Sequence, residues 1–531
     1  MTMEAHARVR GTHMSEWMTH DIGLYAGDVG PVLCGHRRQR GLVAAGAPAG
    51  VGGAPAGATP QARFARSLRD AEVLVLGAAR SGTAVADLLL RLGAHATLAD
   101  RAVAPFETPG MRTLVERGLR VAPGRDDPDL LPGHDLVVVS PGVPPDHPLL
   151  RVAASRGVAV TGELELAARL ARAPLICVTG TNGKSTTVEL IGALLAAAGR
   201  QAQVTGNIGR PLSASVLRTG PHDLLVVEVS SFQLETASRL RPRVAVLLNV
   251  AADHLDRHGD LATYARLKLR LFQHQSSGDD AVAPAGWDGP PLPGGGRRLE
   301  FGTDPTRVRN GATVSGGWIV LRAGGGEERV IDIERLALRG PHNLRNVLAA
   351  LAAVERFAID PAVLAGVLHD FAGLRHRLER VAVLSGVAFV NDSKATNVHA
   401  LRSALTSFSG GIHLLAGGRD KGGDFESLAN LVTERVQRVY RFGESAPRLE
   451  EAWPETPGED CGDLDAAVRA AASRAVPGEV VLLAPGCASF DQFRDYEARG
   501  EVFRRAVLRL AARAAAGAVP PERPVSPGGG A

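Results

Sequence analysis

The chain has 531 residues, enough for about three domains at ~100–200 residues each. With 45% hydrophobic residues, 22% charged residues and a formal charge of +4, the composition excludes wholesale disorder, and no apolar run reaches the ~20 residues of a membrane span. Aromatics make up only 4%, so the sequence offers neither a stacking platform nor a basic field for nucleic acid. Residues 1–69 differ from the rest. They hold Met1, Met3, Met14 and Met18, a basic HRRQR cluster and the low-complexity run AGAPAGVGGAPAGATP. Such a run buries too little apolar surface to offset ordering entropy, which predicts a disordered or over-long extension. Arg37-Arg38 lacks the hydrophobic stretch of a twin-arginine signal, so no targeting signal is expected. Cys34, Cys177, Cys461 and Cys487 form no CxxC pair or zinc spacing, and a reducing cytoplasmic setting is expected.

From residue 70 onward one theme repeats: a short aliphatic strand, a turn of glycine and polar residues, then an amphipathic helix. The strands VLVLG, DLVVVS, PLICVTG, DLLVVEVS, VAVLLN, VAFVND, IHLLAGG, VYRFG and VVLLAPG are continuously apolar. That is the pattern of parallel strands covered on both faces, and it predicts a doubly wound α/β fold. Breaks near 170 and 373 predict domains at 70–170, 171–373 and 374–516, with a loose tail over 517–531. Gly/Pro-rich sequence with short β pieces in 276–330 predicts a small antiparallel patch on the middle domain. Open α/β sheets bind ligands at the carboxyl ends of their strands. Here those ends read GAARSG, SPG, GTNGKST, EVSSFQ, NVAADHLD, NDSKATN, GGRDKGGDF and PGCASFDQF.

Gly77-Ala-Ala-Arg-Ser-Gly82 joins a strand to a helix, with Asp100 ending the next strand where a ribose-binding acid sits in Rossmann units. Ala79 replaces the middle glycine and hinders close approach of a pyrophosphate, so the turn holds a dinucleotide, holds some other nucleotide or diphosphate, or only packs helix on strand. Gly180-Thr181-Asn182-Gly183-Lys184-Ser185-Thr186 is sharper. Its backbone amides suit phosphates, with Lys184 on the terminal ones and Ser185 on magnesium. Glu228, ending a buried strand, is either a magnesium ligand or a helix-capping acid. Asp253-His254-Leu-Asp256-Arg257-His258 fits a metal site or a solvated loop equally well. Asn391-Asp392-Ser393-Lys394-Ala-Thr396-Asn397, Gly417-Gly418-Arg419-Asp420-Lys421 and Pro485-Gly486-Cys487-Ala488-Ser489 leave three strands and together suit a small anion. Cys487 has no base beside it in sequence and is expected to be a packing residue.

With GTNGKST, EVSSFQL, DHLDRH, HNLRN, GLRHR, NDSKATN and PGCASFDQF in this order, residues from about 70 to 515 resemble the Mur ligase family. GAARSG, NDSKATN, GGRDKGGDF and PGCASFDQF match its D-glutamate-adding members, and the Asn-Pro-Arg motif of the diaminopimelate- or lysine-adding members is absent. The resemblance implies an N-terminal Rossmann-like domain for a UDP moiety, a central P-loop ATPase and a C-terminal Rossmann-like domain that closes over the site. It implies ATP-dependent joining of D-glutamate to UDP-N-acetylmuramoyl-L-alanine through an acyl phosphate, for peptidoglycan precursor synthesis, with ATP and two Mg2+ ions. A monomer is expected.

By position, Lys184, Glu228, His254 and Lys268 would be the catalytic set. Ser185 and Glu228 would serve one metal and His254 another, while Lys268, in YARLKLRLF, matches the family's carbamylated lysine. Asn346, Arg377 and Asp392 match ATP contacts, and Asn207 matches a residue near the phosphates and the acyl acceptor. Thr396, Lys421, Ser489 and Tyr496 fall where D-glutamate is held, although relatives often carry phenylalanine in place of Tyr496. Ser81, Thr83, Asp100, Arg101, Ser140 and Gly142 would line the UDP pocket. The rivals are a folylpolyglutamate-type ligase with the same ATPase core, a dehydrogenase built on GAARSG, and a non-enzymatic ATP-binding regulator.

Overall fold

The computed structural model describes residues 59–517 apart from 208, 252, 339 and 421. The expectations for residues 1–58, for the tail beyond 517 and for Lys421 therefore lie outside the described residues. The first sheet contains β1 (Glu72–Leu76), β2 (His95–Asp100), β3 (Arg120–Pro123), β4 (Leu136–Val139) and β5 (Ala159–Gly162), all parallel, in the order β3-β2-β1-β4-β5. This is the doubly wound arrangement that continuous apolar strands require.

The central sheet holds nine strands. They are β6 (Leu175–Thr179), β7 (Ala202–Gly206), β8 (Leu224–Glu228), β9 (Val244–Leu247), β10 (Asp280–Pro284), β11 (Arg297–Gly302), β12 (Gly311–Ser315), β13 (Trp318–Ala323) and β14 (Gly326–Asp332). Their order is β14-β13-β12-β11-β10-β9-β6-β8-β7. The antiparallel patch is there in β12 to β14, but it continues this sheet rather than lying on it, and RRLEFG (β11) pairs parallel with both neighbours. Helices Lys184–Ala197 and Pro341–Val354 cover one core. Ile191, Leu194, Leu195 and the run from Val347 to Val354 are buried there. Alanine fills many of these positions, so the helices approach closely.

The third sheet comprises β15 (Glu379–Leu384), β16 (Val387–Asn391), β17 (Ile412–Gly417), β18 (Val436–Phe442), β19 (Gly458–Asp460) and β20 (Val480–Gly486), in the order β15-β16-β20-β17-β18-β19. Only β15 runs antiparallel to its neighbour. The first and central sheets are tied by polar groups. Glu163 Oε1 accepts from Ser213 N (2.8 Å), Glu165 Oε2 from Arg239 N (3.1 Å), and Arg257 Nη2 donates to Val143 O (3.0 Å). Burial pushes both carboxyls above the usual range.

One expectation is corrected. The predicted extension included residues 59–69, which form the helix Pro60–Leu68. Thr59 caps it by accepting from Ala62 N (3.2 Å), and Pro60 occupies the first turn, where its missing N–H costs nothing. Phe64 and Leu68, four apart, bury one face, and the Arg169 guanidinium lies 3.5 Å from the Phe64 ring centroid. The low-complexity run ends at Pro60, four residues before this i, i+4 pair begins. Leu68 is 0% exposed, so Leu68→Ala is expected to cost about 2–5 kcal/mol. A fall in Tm on thermal unfolding checks this, and an unchanged Tm would show that the helix is dispensable.

Candidate active site

The phosphate-type loop follows β6 and opens the helix Lys184–Ala197. A Cβ at Gly180 (φ +155°) would lie 2.9 Å from Leu248 Cβ, and one at Gly183 (φ +87°) would lie 2.2 Å from Asn346 Oδ1. Both glycines are therefore needed for the close packing of the loop. Asn249, at the end of β9, clips the loop: its Oδ1 accepts from Asn182 N (2.9 Å) and its Nδ2 donates to Asn182 O (3.0 Å). Thr181 N donates to Asn249 O (3.1 Å), while Ala251 N donates to Thr181 Oγ1 (3.0 Å). Thr186 is buried behind the loop.

Two cations converge here. Lys184 Nζ donates to Gly180 O and Thr181 O (both 2.8 Å), and Lys268 Nζ donates to the same Gly180 O (3.0 Å). Lys268 is 1% exposed and lies 4.1 Å from the Tyr264 ring centroid. Burial, then the charge of Lys184, pushes its amine down to about 7. Burial also lowers Lys184, while Glu228 acts in the opposite sense.

Glu228, 2% exposed, accepts from Ser185 Oγ at Oε2 (2.6 Å) and from Asn207 Nδ2 at Oε1 (3.0 Å). A hydroxyl and a carboxylate oxygen at one point are the hard donors that a magnesium ion takes alongside phosphate oxygens and water. The residues thus fit Mg-ATP. His254 (φ +53°) lies in a different setting, half-exposed, with Nε2 3.5 Å from Asp253 and its ring 4.8 Å from that of Phe232. Among the described residues no three His, Cys, Asp or Glu side chains form a preassembled metal cluster. Beside the loop, at the ends of β9, β10 and β11, a cavity of about 350 Å³ is lined by Asn249, Trp287, Phe301, Arg307 and Arg345 among others.

The C-terminal sheet presents Arg377, Asp392 and Lys394 toward this loop. Asp392 Oδ1 accepts from Leu378 N (3.2 Å), and burial raises its carboxyl to about 6 against the pull of Arg377. Lys394 is depressed by burial and by Arg377, and Glu228 acts on it from the central sheet. Asn346 is buried, with Nδ2 3.5 Å from Asn343 Oδ1. A second cavity, about 240 Å³, is lined by Thr396, Asn397, Val398, Asp420, Gly422, Gly423 and Gly486. Ser489 and Tyr496 are not part of that lining. Ser489 is buried, and Tyr496 starts the helix Tyr496–Gly517 with its phenol raised to about 12, mainly by burial. Cys487 is a buried packing residue, as expected, bonded to Ser445 Oγ (3.3 Å).

In the first sheet, three predicted residues converge on the Gly77 turn. Asp100 Oδ2 accepts from Ala78 N (2.6 Å), Thr83 Oγ1 donates to Ala78 O (3.1 Å), and Ser140 Oγ donates to Gly77 O (3.1 Å). Asp100 Oδ1 accepts from Ala102 N (2.8 Å), so the acid expected at a ribose already holds two backbone amides. A Cβ at Gly82 would fall 1.7 Å from Gly77 O, which makes this glycine a packing requirement. Ser81 lies in the first turn of helix Arg80–Arg91, and Gly142 has open space around its Cα. Arg101 is exposed and paired with Asp126 (2.9 Å).

Residues 71–162 match the family described as Mur ligase MurD-like, N-terminal domain; residues 178–289 match Mur ligase middle domain; residues 376–487 match Mur ligase, glutamate ligase domain. A UDP-N-acetylmuramoylalanine--D-glutamate ligase of Pelotomaculum thermopropionicum is 45% identical over 446 residues, covering 83% of this chain and 98% of that protein. The chain belongs to the Mur ligase family. Like-named ligases of Anaeromyxobacter dehalogenans (44% identical; 83% of this chain and 98% of that one) and Acidobacterium capsulatum (41%; 83% and 97%) match similarly.

In this Mur ligase the sequence named most of the residues around the loop but missed several that hold it. Asn249 was readable as a side-chain amide at a strand end. Tyr264, four residues before Lys268, sits where helical spacing places a ring beside an amine. Lys394 was expected only among the groups that suit a small anion, and its action on Lys184 was not. Arg499 gave no local signal, because its acceptors are over 80 residues away in two of three cases.

Lys268 also carries a stability signature. Its folded amine titrates near 7 against the usual 10.5, so the unfolded chain binds more protons between those values. The destabilisation is complete below about 7 and fades as pH rises toward 10.5. Lys268→Met is expected to raise Tm at neutral pH and below, with the gain shrinking in alkali, while activity is lost. A Tm below wild type across that range would contradict the burial argument.

Proposed function

We infer that this Mur ligase is an ATP-dependent ligase that joins D-glutamate to UDP-N-acetylmuramoyl-L-alanine in peptidoglycan precursor synthesis. The observation that carries the mechanism is the meeting of Lys184 and Lys268 on one carbonyl beside the Ser185–Glu228 pair. Curated relatives so named, matched along 97–98% of their length, support the choice of substrates. A carboxylate is a poor electrophile, and phosphorylating it supplies a leaving group. Lys184 and the loop amides would hold the terminal phosphate of ATP while the alanine carboxylate oxygen attacks phosphorus and ADP departs. The amine of D-glutamate then attacks the acyl carbon, and phosphate leaves as the amide forms. Arg377 and Lys394 would offset the negative charge crowded between the two substrates.

Ser185 and Glu228 would hold one magnesium ion, and His254 with a carbamylated Lys268 a second; bound there, the ions would neutralise phosphate charge. A lysine amine that is half neutral near pH 7 is a competent nucleophile toward carbon dioxide, which favours the carbamate. The β9–β11 cavity, contiguous with the loop through Asn249, is large enough for the nucleoside of ATP. Thr396, Lys421, Ser489 and Tyr496 would bind D-glutamate, and the turn of Gly77–Gly82 with Ser81, Thr83, Asp100, Arg101, Ser140 and Gly142 would bind the UDP moiety. Among the described residues no helix is long and apolar enough to cross a membrane. The nucleotide substrates place the reaction in the cytoplasm, and we infer a monomer.

The test is phosphate release from ATP with magnesium and UDP-N-acetylmuramoyl-L-alanine, with amino acids offered one at a time. D-Glutamate is expected to support release, and L-glutamate and meso-diaminopimelate are not. Lys184→Ala is expected to lower turnover by roughly 100–1000-fold. Release with another amino acid alone, or near-normal turnover in the variant, would sink this reading.

A further inference from the structure

Arg499, in the first turn of the helix Tyr496–Gly517, is 0% exposed. Its guanidinium reaches three separate strand ends. Nε donates to Ser393 Oγ (3.0 Å) and Nη2 to Ser393 O (2.9 Å), in the loop after β16. Nη1 donates to Cys487 O (3.1 Å) and Ala488 O (3.2 Å), after β20, with Gly417 O at the end of β17 at 3.5 Å. Among the described residues no carboxylate lies within ion-pair distance of it. Asp491 acts favourably from farther away, and its Oδ2 accepts from Glu444 N (3.1 Å). Burial lowers the guanidinium to about 10, so it stays charged at neutral pH.

A buried cation held only by neutral acceptors costs stability unless something is gained elsewhere. What it holds are the loops that leave β16, β17 and β20, with Thr396 and Ser489 each within three residues of one of its acceptors. The same loops bond one another: Arg419 N donates to Ala488 O (2.9 Å), Ala488 N to Arg419 O (3.0 Å), and Gly486 N to Ala395 O (2.8 Å). Ser393 Oγ donates to Tyr496 O (2.8 Å), which fixes the start of the helix that bears Arg499.

We propose that Arg499 is the positioning residue of the amino-acid subsite: its planar fork sets three substrate loops in register, and its charge beneath them, with no carboxylate at ion-pair distance among the described residues, favours a dicarboxylate. This rests on D-glutamate being the incoming amino acid. Lysine in its place keeps the charge but presents a single rotating ammonium group, which cannot serve acceptors on three loops at once. A misplacement of about 1 Å costs on the order of 100-fold in rate.

The experiment compares wild type, Arg499→Lys and Ser393→Ala by steady-state kinetics in all three substrates, with Tm measured in parallel. Arg499→Lys is expected to raise the KM for D-glutamate by roughly 10–100-fold. The KM values for ATP and UDP-N-acetylmuramoyl-L-alanine should rise several-fold less than that for D-glutamate, since only one of the three loops, the one with Asp392 and Lys394, also faces those substrates. Ser393→Ala, which removes one of the acceptors, should shift the D-glutamate KM in the same direction by less. An unchanged D-glutamate KM in Arg499→Lys overturns the proposal, as does a parallel rise of all three KM values with a fall in Tm. Wild type in the same run separates this from the function itself: with no D-glutamate-dependent release there, the function reading fails first.

Discussion

Two lysine ammonium groups on one carbonyl oxygen set the terms for the rest of this molecule. Lys184 and Lys268 meet at Gly180 O with Glu228 nearby, and Lys268 is buried there against the Tyr264 ring. Burial and the like charge of Lys184 together depress Lys268. The arrangement is relieved by anions, and the proposed substrates bring them: triphosphate, alanine carboxylate and, if Lys268 takes up carbon dioxide, a carbamate in place of one cation. Catalysis and instability have the same source.

The architecture exists to deliver more charge to that point. All three sheets direct the carboxyl ends of their parallel strands at polar loops, and the C-terminal sheet brings Arg377 and Lys394 close enough to act on Lys184. The first sheet is fastened to the central one through Glu163, Glu165 and Arg257, whose partners are backbone groups. Within the C-terminal domain, Arg499 does for the three outer loops what Asn249 does for the phosphate loop. In both cases one side chain with several donors or acceptors replaces many weaker contacts.

What could be read from sequence followed from periodicity and local spacing. Nine aliphatic strands stood out because each is buried on both faces, and GTNGKST announced itself because a phosphate loop needs its glycines and lysine at fixed offsets. The Thr59–Arg69 segment was missed because a helix of nine residues shows too short a period beside low-complexity sequence. The patch in 276–330 was seen, but not its parallel attachment through β11, since strand direction depends on a distant partner. Asp100 illustrates the same limit at a site: position marked it for a ribose but did not show that its oxygens also hold Ala78 N and Ala102 N. Arg499 was invisible because its meaning lies in acceptors that only the folded sheet gathers.

The central claim is that charge gathered at Gly180 serves to activate a carboxylate by phosphorylation. It is tested most directly by labelling the alanine carboxylate of UDP-N-acetylmuramoyl-L-alanine with heavy oxygen and following the label through one turnover. An acyl phosphate requires one labelled oxygen to leave with inorganic phosphate. Phosphate free of label, with the amide product formed normally, would mean that the carboxylate is never phosphorylated and would contradict the account.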